Sequence, residues 1–271
     1  MDKLVPKKRS ETDPRGIQSV EVGLGILMPF IGATEPFKLS ELAEQAGVSS
    51  TQAHTYLVSF RRLGLIEKDE DSGRYRLGRY ALDLAVARMQ SFDPLRAATG
   101  HLEKLRDATN LTIALSVWGS YGPSIVVMRD GIEQVNINSR VGTVYSVSGT
   151  ATGMAFAAHM SEELLKAAIK SELRESGEKR RVGKTRNWAD IASELNTIKV
   201  KKFATISPNP VAGIHAIASP IFDYSGDVKM VMTLIGTAAN PELNAKSTSV
   251  RLLLECASRV SFELGYVEAR K

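Results

Sequence analysis

Cysteine is almost absent from this sequence, because Cys256 is the only one in 271 residues. A single cysteine excludes an intramolecular disulfide framework. Cys256 lies in an apolar stretch with helical spacing, so we expect it to fill space in a core rather than act as a nucleophile. The length fits two domains, and a hydrophobic content of 43% allows each of them to bury its own core.

Long apolar runs are also missing. No stretch approaches the ~20 apolar residues of a spanning helix, and the N-terminus lacks the apolar segment of a signal peptide. These absences predict a soluble, cytoplasmic protein. The net charge of +5 permits an anionic partner, although acids nearly balance bases over the first ninety residues. A small basic tail, Lys7, Lys8 and Arg9, is either a solvated terminus or an arm that touches phosphates.

Signatures of catalysis and metal binding are missing too. The chain has no Gly-x-Ser-x-Gly elbow, no P-loop and no clustered carboxylates. Its four histidines are scattered without metal-ligand spacing, and each is expected to be structural or on the surface. They are His54, His101, His159 and His215. We therefore predict no enzyme, with no catalytic residues, no metal site and no cofactor.

A helical pattern starts near Ser19. Val20, Leu24, Leu27 and Ile31 follow at spacings of four, three and four, which places them on one face of a helix. Gly23 and Gly25 weaken this helix locally, so packing must compensate for them.

Two further short helices follow within 25 residues. Ser40 is expected to cap the first of them, and Gly47 to end it in a left-handed conformation. Ser49 is expected to cap the second, with Gln52 completing a capping box, and Gly64 to stop it. Its predicted buried stripe is Ala53, Tyr56, Leu57, Phe60 and Leu63. Two helices joined by a tight glycine turn are typical of a helix-turn-helix.

A hairpin is predicted directly after this pair. A strand begins at Leu65, the segment 71–73 has turn chemistry, and Tyr75 and Leu77 alternate with arginines on a returning strand. The hairpin predicts a wing, so residues 16–78 are interpreted as a winged helix-turn-helix.

The second helix of the motif has the short polar side chains that a DNA recognition helix presents on its outer face. Gln52 is suited to adenine and Thr55 to a thymine methyl group, while hydroxyls and arginines suit phosphates. The predicted DNA-binding residues are Ser49, Ser50, Thr51, Gln52, His54, Thr55, Ser59, Arg61, Arg62, Arg74 and Arg76. The alternative is a solvated face without a partner. Lysine and arginine are sparse on this helix, so phosphate attraction is expected largely from the wing and from a dimer.

A linker helix is predicted at 79–92, with Leu82, Val86 and Met89 on one side. Asp93 is then expected to cap a new helix that has Pro94 at its first position. Its apolar residues are Leu95, Ala98, Leu102 and Leu105. They pack either on their own domain or in a dimer seam.

The remainder, 93–271, has the pattern of an α+β domain around an antiparallel sheet. Strands are expected at 111–118 and 124–128, with a third in 132–139, and a hairpin joins 214–222 to 229–236. Helices are expected within 146–158, after caps at Ser161 and Asn187, and at the end of the chain before Gly265.

These segments together resemble the IclR family of bacterial transcription regulators, from about Gln18 to Gly265. The first domain carries Leu39-Ser-Glu-Leu-Ala-Glu-Gln-Ala-Gly-Val, Leu63-Gly-Leu-Ile and Gly73-Arg-Tyr-Arg-Leu-Gly; the second carries Ser148-Gly-Thr-Ala-Thr-Gly-Met-Ala-Phe-Ala-Ala and Gly213-Ile-His-Ala-Ile-Ala-Ser-Pro-Ile-Phe-Asp. The resemblance implies a winged helix-turn-helix, a linker helix and a GAF/profilin-like effector domain. It also implies homodimers or homotetramers that bind a DNA operator and a small organic effector.

The sequence departs from the family pattern at positions that bear on both ligands. Ser50 and Thr55 stand where the family usually has Lys and Arg, which leaves the operator sequence open. Ser148 and Ala216 stand in place of a His and a Cys. Ser207 falls near the place of an acidic residue. The last strand, which commonly ends in Ser-x-Ser-Gly in the family, ends here in Thr233-Leu-Ile-Gly. These changes make the predicted pocket less polar than many pockets of the family.

The effector site is predicted where small residues open a helix at Gly149, Thr150 and Ala151. Helix starts present free N–H groups that suit a carboxylate. By resemblance, the facing wall includes Ser207, Ala216, Thr233 and Ile235. The alternative is a tightly packed contact between helix and sheet. If a ligand binds, an aromatic or apolar acid is favoured.

Taken together, the sequence predicts a flexible tail at 1–15, a winged helix-turn-helix at 16–78, a linker helix at 79–92 and an effector domain at 93–271. The predicted function is a DNA-binding transcriptional regulator whose operator affinity is modulated by an effector, through linkage across the helices of 79–108. The alternatives are a winged-helix protein–protein adaptor and, less favoured, an enzyme.

Overall fold

The computed structural model describes residues 16–132, 135, 139–174, 181–205 and 212–268. The basic tail and Ser207 lie outside these residues, as does most of the third strand predicted at 132–139. The chain divides into two compact units, of which the first ends at Phe92 and the second runs from Asp93 to Glu268. Each unit is described by itself below.

The first unit contains three helices, a hairpin and a fourth helix. These are α1 (Gln18–Leu27), α2 (Leu39–Ala46), α3 (Ser50–Arg62), β1 (Ile66–Lys68), β2 (Tyr75–Leu77) and α4 (Arg79–Ser91), with a short 3-10 helix at Met28–Phe30. The antiparallel strands pair Ile66 with Leu77 and Lys68 with Tyr75. Phe37 bridges to Tyr75 through two backbone hydrogen bonds of 2.9 and 2.7 Å. The predicted winged helix-turn-helix is therefore present.

The helix predicted from near Ser19 is present as α1, and Leu27 of its apolar row packs against the core of the unit. Ile26 and Gly23 are buried, whereas Val20, Leu24 and Ile31 are exposed. A methyl group added at Gly23 would lie 3.1 Å from the Phe60 ring, so the missing side chain lets α1 approach the aromatic rings of α3. The apolar period identified a helix but not the face that the core selects.

Local hydrogen bonds define the ends of the two motif helices. Ser49 caps α3 as predicted, its hydroxyl accepting a 3.2 Å bond from the N–H of Gln52. The predicted cap at Ser40 is wrong, because α2 begins at Leu39 and its N-cap is Lys38, two residues before Ser40. The N–H of Lys38 donates to the Glu41 carboxylate at 2.7 Å. The other correction is Leu63, which is exposed rather than part of the buried stripe.

The start of α4 is joined closely to the end of α3 by two glycines. A methyl group added at Gly78 would lie 2.3 Å from the carbonyl oxygen of Gly64. The N–H of Gly78 donates to Leu65 at 2.8 Å and the N–H of Tyr80 donates to Gly64 at 3.0 Å. The helix itself buries none of its residues in this chain.

The second unit begins with α5 (Pro94–Thr109). Asp93 caps it as predicted, accepting bonds of 3.0 and 3.1 Å from the N–H groups of Leu95 and Arg96. Three of its predicted apolar residues, Ala98, Leu102 and Leu105, are buried within the unit, whereas Leu95 is exposed. The interpretation that α5 packs on its own domain is therefore confirmed for these three.

A sheet of seven described strands forms the centre of the second unit. The strands are β3 (Thr112–Gly119), β4 (Gly122–Arg129), β5 (Val144–Tyr145), β6 (Arg181–Val182), β7 (Ala204–Thr205), β8 (Ile214–Phe222) and β9 (Val228–Thr237), in the order β6-β5-β4-β3-β9-β8-β7. All neighbours are antiparallel except β5 and β6. The predicted α+β class and antiparallel sheet are confirmed, and the parallel pair was not predicted.

Helices cover both faces of this sheet. They are α5, α6 (Ala151–Ala157), α7 (Glu162–Arg174), α8 (Trp188–Lys201) and α9 (Thr248–Glu263). Thr152 of α6 bonds to Thr233 of β9, whereas Cys256 of α9 contacts the sulfur of Met232, the next residue along that strand. Because successive residues of a strand point to opposite faces, α6 and α9 lie on different sides. Burial raises the pKa of Cys256 to about 11, in agreement with its predicted packing role.

Candidate DNA-recognition surface and effector face

The recognition helix α3 is held by a narrow apolar face. Ala53 and Leu57 are completely buried, while the turn before the helix is fixed by Gly47 at φ +66°. This leaves the opposite side of the helix free of contacts with the core. The predicted residues on that side are all exposed: Ser49, Ser50, Thr51, Gln52, His54, Thr55 and Ser59. The polar face therefore points outward.

Some hydroxyl groups on this face are already engaged within the helix. Thr55 donates to the carbonyl of Thr51 at 3.1 Å, and Ser59 donates to the carbonyl of Thr55 at 3.3 Å. Their oxygens and the Thr55 methyl group remain accessible. Thr55 is thus suited to an apolar contact with a thymine methyl group rather than to donating a bond to a phosphate.

The four arginines predicted to bind DNA differ in whether their side chains are free to contact a phosphate. Arg61 pairs with Glu70 at 3.3 Å and Arg76 pairs with Glu67 at 3.2 Å, all four side chains being exposed. Arg74 points inward and donates to the carbonyl of Pro36 at 2.9 Å. The prediction that Arg74 reaches DNA is corrected, because its guanidinium holds the segment before α2. Arg62 is exposed and makes no ion pair with the described part of the chain.

The tip of the wing is acidic. Asp69, Glu70 and Asp71 precede the turn, which Gly73 closes at φ +67°. The Asp69 carboxylate accepts bonds from the N–H of Ser72 at 2.7 Å and from its hydroxyl at 2.8 Å. These bonds lower the pKa of Asp69, so the group is ionised at neutral pH. The expectation that the wing supplies phosphate attraction is therefore not supported by its charges.

The sheet of the second unit brings together part of the predicted effector wall. Ala216 lies opposite Ile235, and Thr233 lies opposite both Ala114 and Ala218 on the same face. Ala216 and Ile235 belong to one apolar cluster. Its members are Ala114, Ile125, Met128, Tyr145, Val182, Ile214, Ala216 and Ile235. Thr233 is buried beside α6, with its hydroxyl 2.9 Å from that of Thr152.

The start of α6 is packed rather than open. A methyl group added at Gly149 would lie 2.3 Å from the carbonyl oxygen of Lys184. The Thr150 hydroxyl accepts from the N–H of Gly153 at 3.0 Å and donates to the carbonyl of Ser146 at 2.9 Å. We therefore correct the prediction for Gly149 and Thr150, because close packing and helix capping occupy both residues. Ala151 is buried in the core between helices and sheet.

A short segment after β6 covers this helix start. Ser148 donates its hydroxyl to the carbonyl of Arg186 at 2.8 Å and accepts from its N–H at 2.7 Å. Gly183 approaches the Gly149 carbonyl so closely that an added methyl group would lie 2.8 Å from it. Ser148, which replaces a family histidine, thus joins two backbone segments.

Two residues of this region were missed from the sequence. Tyr145 is buried in the apolar cluster, where burial raises the pKa of its phenol and the side chain of Ser139 bonds to it. Tyr145 lies on β5, which has only two residues, so the sequence shows no alternation of apolar and polar residues there. The buried Glu172 accepts bonds from the hydroxyls of Ser146 and Thr185 and from the N–H of Val147, at 2.9 to 3.0 Å.

A signal for Glu172 was present in the sequence. It follows Leu165 and Ile169 at spacings of four and three, so it occupies the buried face of α7 rather than the solvated face. A carboxylate at such a position requires several donors, because burying it without partners is costly.

The described residues contain neither a cluster of candidate metal ligands nor a membrane-spanning helix. No group of three or more His, Cys, Asp or Glu side chains there has the geometry to hold a metal ion. None of the described helices has the length and apolar character needed to cross a membrane.

An outward recognition helix with a wing, followed by a separate α+β unit, defines a DNA-binding transcriptional regulator. Residues 19–70 match the family model described as the IclR helix-turn-helix domain, and residues 86–262 match the one described as the bacterial transcriptional regulator IclR C-terminal domain. The chain belongs to the IclR family of bacterial transcriptional regulators, as the sequence predicted.

Individual relatives agree with this assignment. The crystal structure of Pseudomonas aeruginosa HmgR is similar with a TM-score of 0.79 and 30% identity, over 92% of this chain and 99% of that one. The Agrobacterium tumefaciens repressor BlcR has the same fold, with a TM-score of 0.72 over 96% and 100% of the chains at 19% identity. The regulator KdgR of Dickeya chrysanthemi is 21% identical over 94% of this chain and 83% of its own length.

Proposed function

We propose that this regulator binds operator DNA as a homodimer through α3, with an affinity that a small organic effector changes from the second unit. The observation that carries the DNA part is the division of α3 into a buried apolar side, Ala53 and Leu57, and an exposed polar side. An α-helix with that division fits the major groove of B-DNA. Binding to chromosomal DNA would place the protein in the cytoplasm, and the proposal includes no catalytic step.

We assign base contacts to the first two turns of α3. Gln52 can bond adenine with both atoms of its amide, and the exposed ring of His54 lies beside it in sequence. Ser50 and Thr51 are suited to phosphates because they stand at the helix N-terminus, where unbonded N–H groups favour anions. Arg62 supplies a positive charge at the other end of the helix.

The homodimer follows from the surface of α4. Leu82 is 60% exposed, and Val86 and Met89 are also exposed on the same side. Tyr80 and Leu84 add further apolar surface on this helix. Soluble monomers rarely expose a contiguous apolar area of that size, so a second copy of the chain is the proposed partner.

The effector is assigned to the apolar cluster that contains Ile235, Ala216 and Tyr145. Its described members carry no charge, and the phenol of Tyr145 is the one polar group among them. An aromatic acid is the ligand that we propose for this cluster, with neutral donors holding its carboxylate. A ligand that binds the DNA-competent and incompetent dimers unequally would shift their populations.

The DNA assignment is tested with Gln52→Ala on the DNA upstream of the protein's own gene. Loss of a bidentate base contact is expected to cost about 1–3 kcal/mol of binding free energy. Fluorescence anisotropy at fixed salt measures it. Asn196→Ala, on the exposed side of α8, is the control and should leave the affinity unchanged. Equal affinities for both variants would contradict the assignment of α3.

The effector assignment is tested with Ala216→Leu, which adds volume to the apolar cluster. A thermal-shift screen of aromatic and aliphatic acids is run on the wild type first. The variant is expected to lose the shift given by a ligand that binds there. Ala192→Leu on the exposed side of α8 is the control and should keep it. A ligand shift that survives in Ala216→Leu would place the site elsewhere.

A further inference from the structure

The DNA-binding unit is almost neutral, although its partner is a polyanion. Between residues 16 and 92 the chain has nine Asp and Glu against eight Lys and Arg. Phosphate contacts made by Lys and Arg supply most of the non-specific affinity of proteins for DNA. The arrangement of the charges on α3 and the wing therefore decides how strongly this unit is attracted to any duplex.

The fold pairs two of the arginines on α3 and the wing with carboxylates. Arg61 stands on the last turn of α3 and Glu70 at the wing tip, with Nη2 and Oε1 3.3 Å apart. Arg76 and Glu67 face each other directly in the β1–β2 register, 3.2 Å apart. In each pair, an arginine that could contact a phosphate is bound to a glutamate. Both side chains would approach the duplex together.

The remaining wing charges do not restore a positive surface. Arg74 is turned inward to Pro36, and the ammonium group of Lys68 lies 5.8 Å from the centre of the Tyr75 ring. Asp69 is ionised, and Asp71 beside it is exposed. Because Glu70 is 81% exposed and Arg61 43%, the pair is open to solvent and its charges act at the surface that DNA would meet.

We propose that the Arg61–Glu70 and Arg76–Glu67 pairs restrain non-specific DNA binding by neutralising Arg61 of α3 and Arg76 of the wing. Glu70 is a positioning residue that acts through Arg61. Stable binding then depends on base contacts by the uncharged face of α3 and on Arg62. This inference rests on the proposed DNA binding and names the groups that regulate it.

The test measures the affinity of Glu70→Gln for a random-sequence 30-base-pair duplex between 50 and 200 mM salt. Freeing Arg61 adds one phosphate contact, so the slope of log K against log salt should steepen by about one. The affinity at the lowest salt is expected to rise roughly three- to tenfold. A purely structural role for Glu70 would not change the salt slope. Glu67→Gln is expected to act in the same direction through Arg76.

Two controls separate this effect from a change in overall charge. Glu163→Gln makes the same chemical change on the exposed side of α7 and should leave the affinity unchanged. In an Arg61→Ala background, Glu70→Gln should lose at least half of its gain, which a double-mutant cycle measures. The inference is overturned if Glu70→Gln matches Glu163→Gln, or if its full gain survives without Arg61. If the wild type binds no duplex at all, the proposed DNA binding fails as well.

Discussion

Single residues in this protein hold separate segments together, and Glu172 is the clearest case. Its carboxylate receives bonds from two hydroxyls and one backbone N–H, supplied by the loop before α6 and the segment after β6. None of these donors is near α7 in sequence. The position of the α6 start therefore depends on one buried acceptor.

Substitution of Glu172 by Gln should destabilise the second unit. An amide keeps one acceptor but turns an NH₂ group toward the remaining donors, and unsatisfied buried groups cost about 1–3 kcal/mol each. We expect the free energy of unfolding to fall by about 2–4 kcal/mol, measured by urea denaturation. The exposed Glu163→Gln serves as the control, and equal stability of the two variants would show that the bonds to Glu172 contribute little.

His159 provides a second effect at the scale of the residue. Its ring meets that of Phe222 edge-on at 4.8 Å, and burial, with a smaller effect from Lys199, lowers its pKa from 6.5 to about 4. The folded protein therefore holds the ring neutral while the unfolded chain binds a proton between these values. Its contribution to stability is complete above pH 6.5 and is lost as the pH falls toward 4.

Replacement of His159 by Leu is expected to flatten the dependence of stability on pH. The wild type should lose about 2 kcal/mol more than the variant between pH 6.5 and 4, after allowance for partial exposure of the ring. Denaturation series at several pH values measure this difference. His54→Ala, at an exposed histidine, should retain the full dependence of the wild type. Parallel curves for wild type and His159→Leu would contradict the argument.

At the scale of the element, α1 contains two glycines in opposite situations. Gly23 faces the rings of Phe60 and Tyr56 at 3.1 and 3.3 Å, measured from an added methyl group, whereas Gly25 has nothing within 4 Å. Gly25→Ala should stabilise the unit by about 0.5–1 kcal/mol through helix propensity alone. Gly23→Ala is expected to lose this gain and to be about 1 kcal/mol less stable than Gly25→Ala, because the added methyl group must displace the rings of Phe60 and Tyr56.

Thermal or urea unfolding of the two purified variants measures how each substitution changes the stability of the protein. Each variant is the matched control of the other, since both substitutions occur in one helix and have the same intrinsic propensity. If both substitutions stabilised the protein, the contact between α1 and α3 would have room for a methyl group at Gly23.

At the scale of the element, the sequence predicted most of the features that are determined by neighbouring residues and missed those that distant residues determine. The caps at Ser49 and Asp93 and the turn at Gly47 arise from neighbouring residues, and all three were found. The buried face of α1 is chosen by aromatic rings on α3, which the periodicity of α1 does not encode. The Ser40 cap failed because Glu41 bonds to the N–H of Lys38, which places the helix start two residues earlier.

The candidate sites divide in the same way. The outward face of α3 follows from its own sequence, and the structure exposes every predicted polar residue there. The engagement of Arg74 depends on Pro36, which is distant in sequence and is placed by the fold. The bonds of Thr150 to Ser146 and Gly153 are local, but the chemical suitability of its hydroxyl for a ligand did not reveal that the helix start already uses it. The sequence therefore predicted which residues are chemically suitable but not which are already occupied.

At the scale of the whole molecule, the exposed apolar side of α4 predicts self-association. Leu82→Glu should convert the proposed dimer to a monomer, because a charge would be buried at the contact while the fold of one chain would not be disturbed. Light scattering after size-exclusion chromatography measures the mass, and circular dichroism checks the fold. Gln90→Glu adds the same charge at an exposed polar position of α4 and is the control. A folded Leu82→Glu protein with unchanged mass would exclude α4 as the contact.

The close junction between Gly64 and Gly78 has a mechanical consequence. Two backbone hydrogen bonds and a glycine contact without room for a side chain leave no hinge between the recognition helix and α4. We expect α3 and α4 to rotate together as one rigid body. In the proposed dimer, a signal that changes the distance between the two recognition helices would therefore have to bend the chain at or beyond Phe92, where α4 ends.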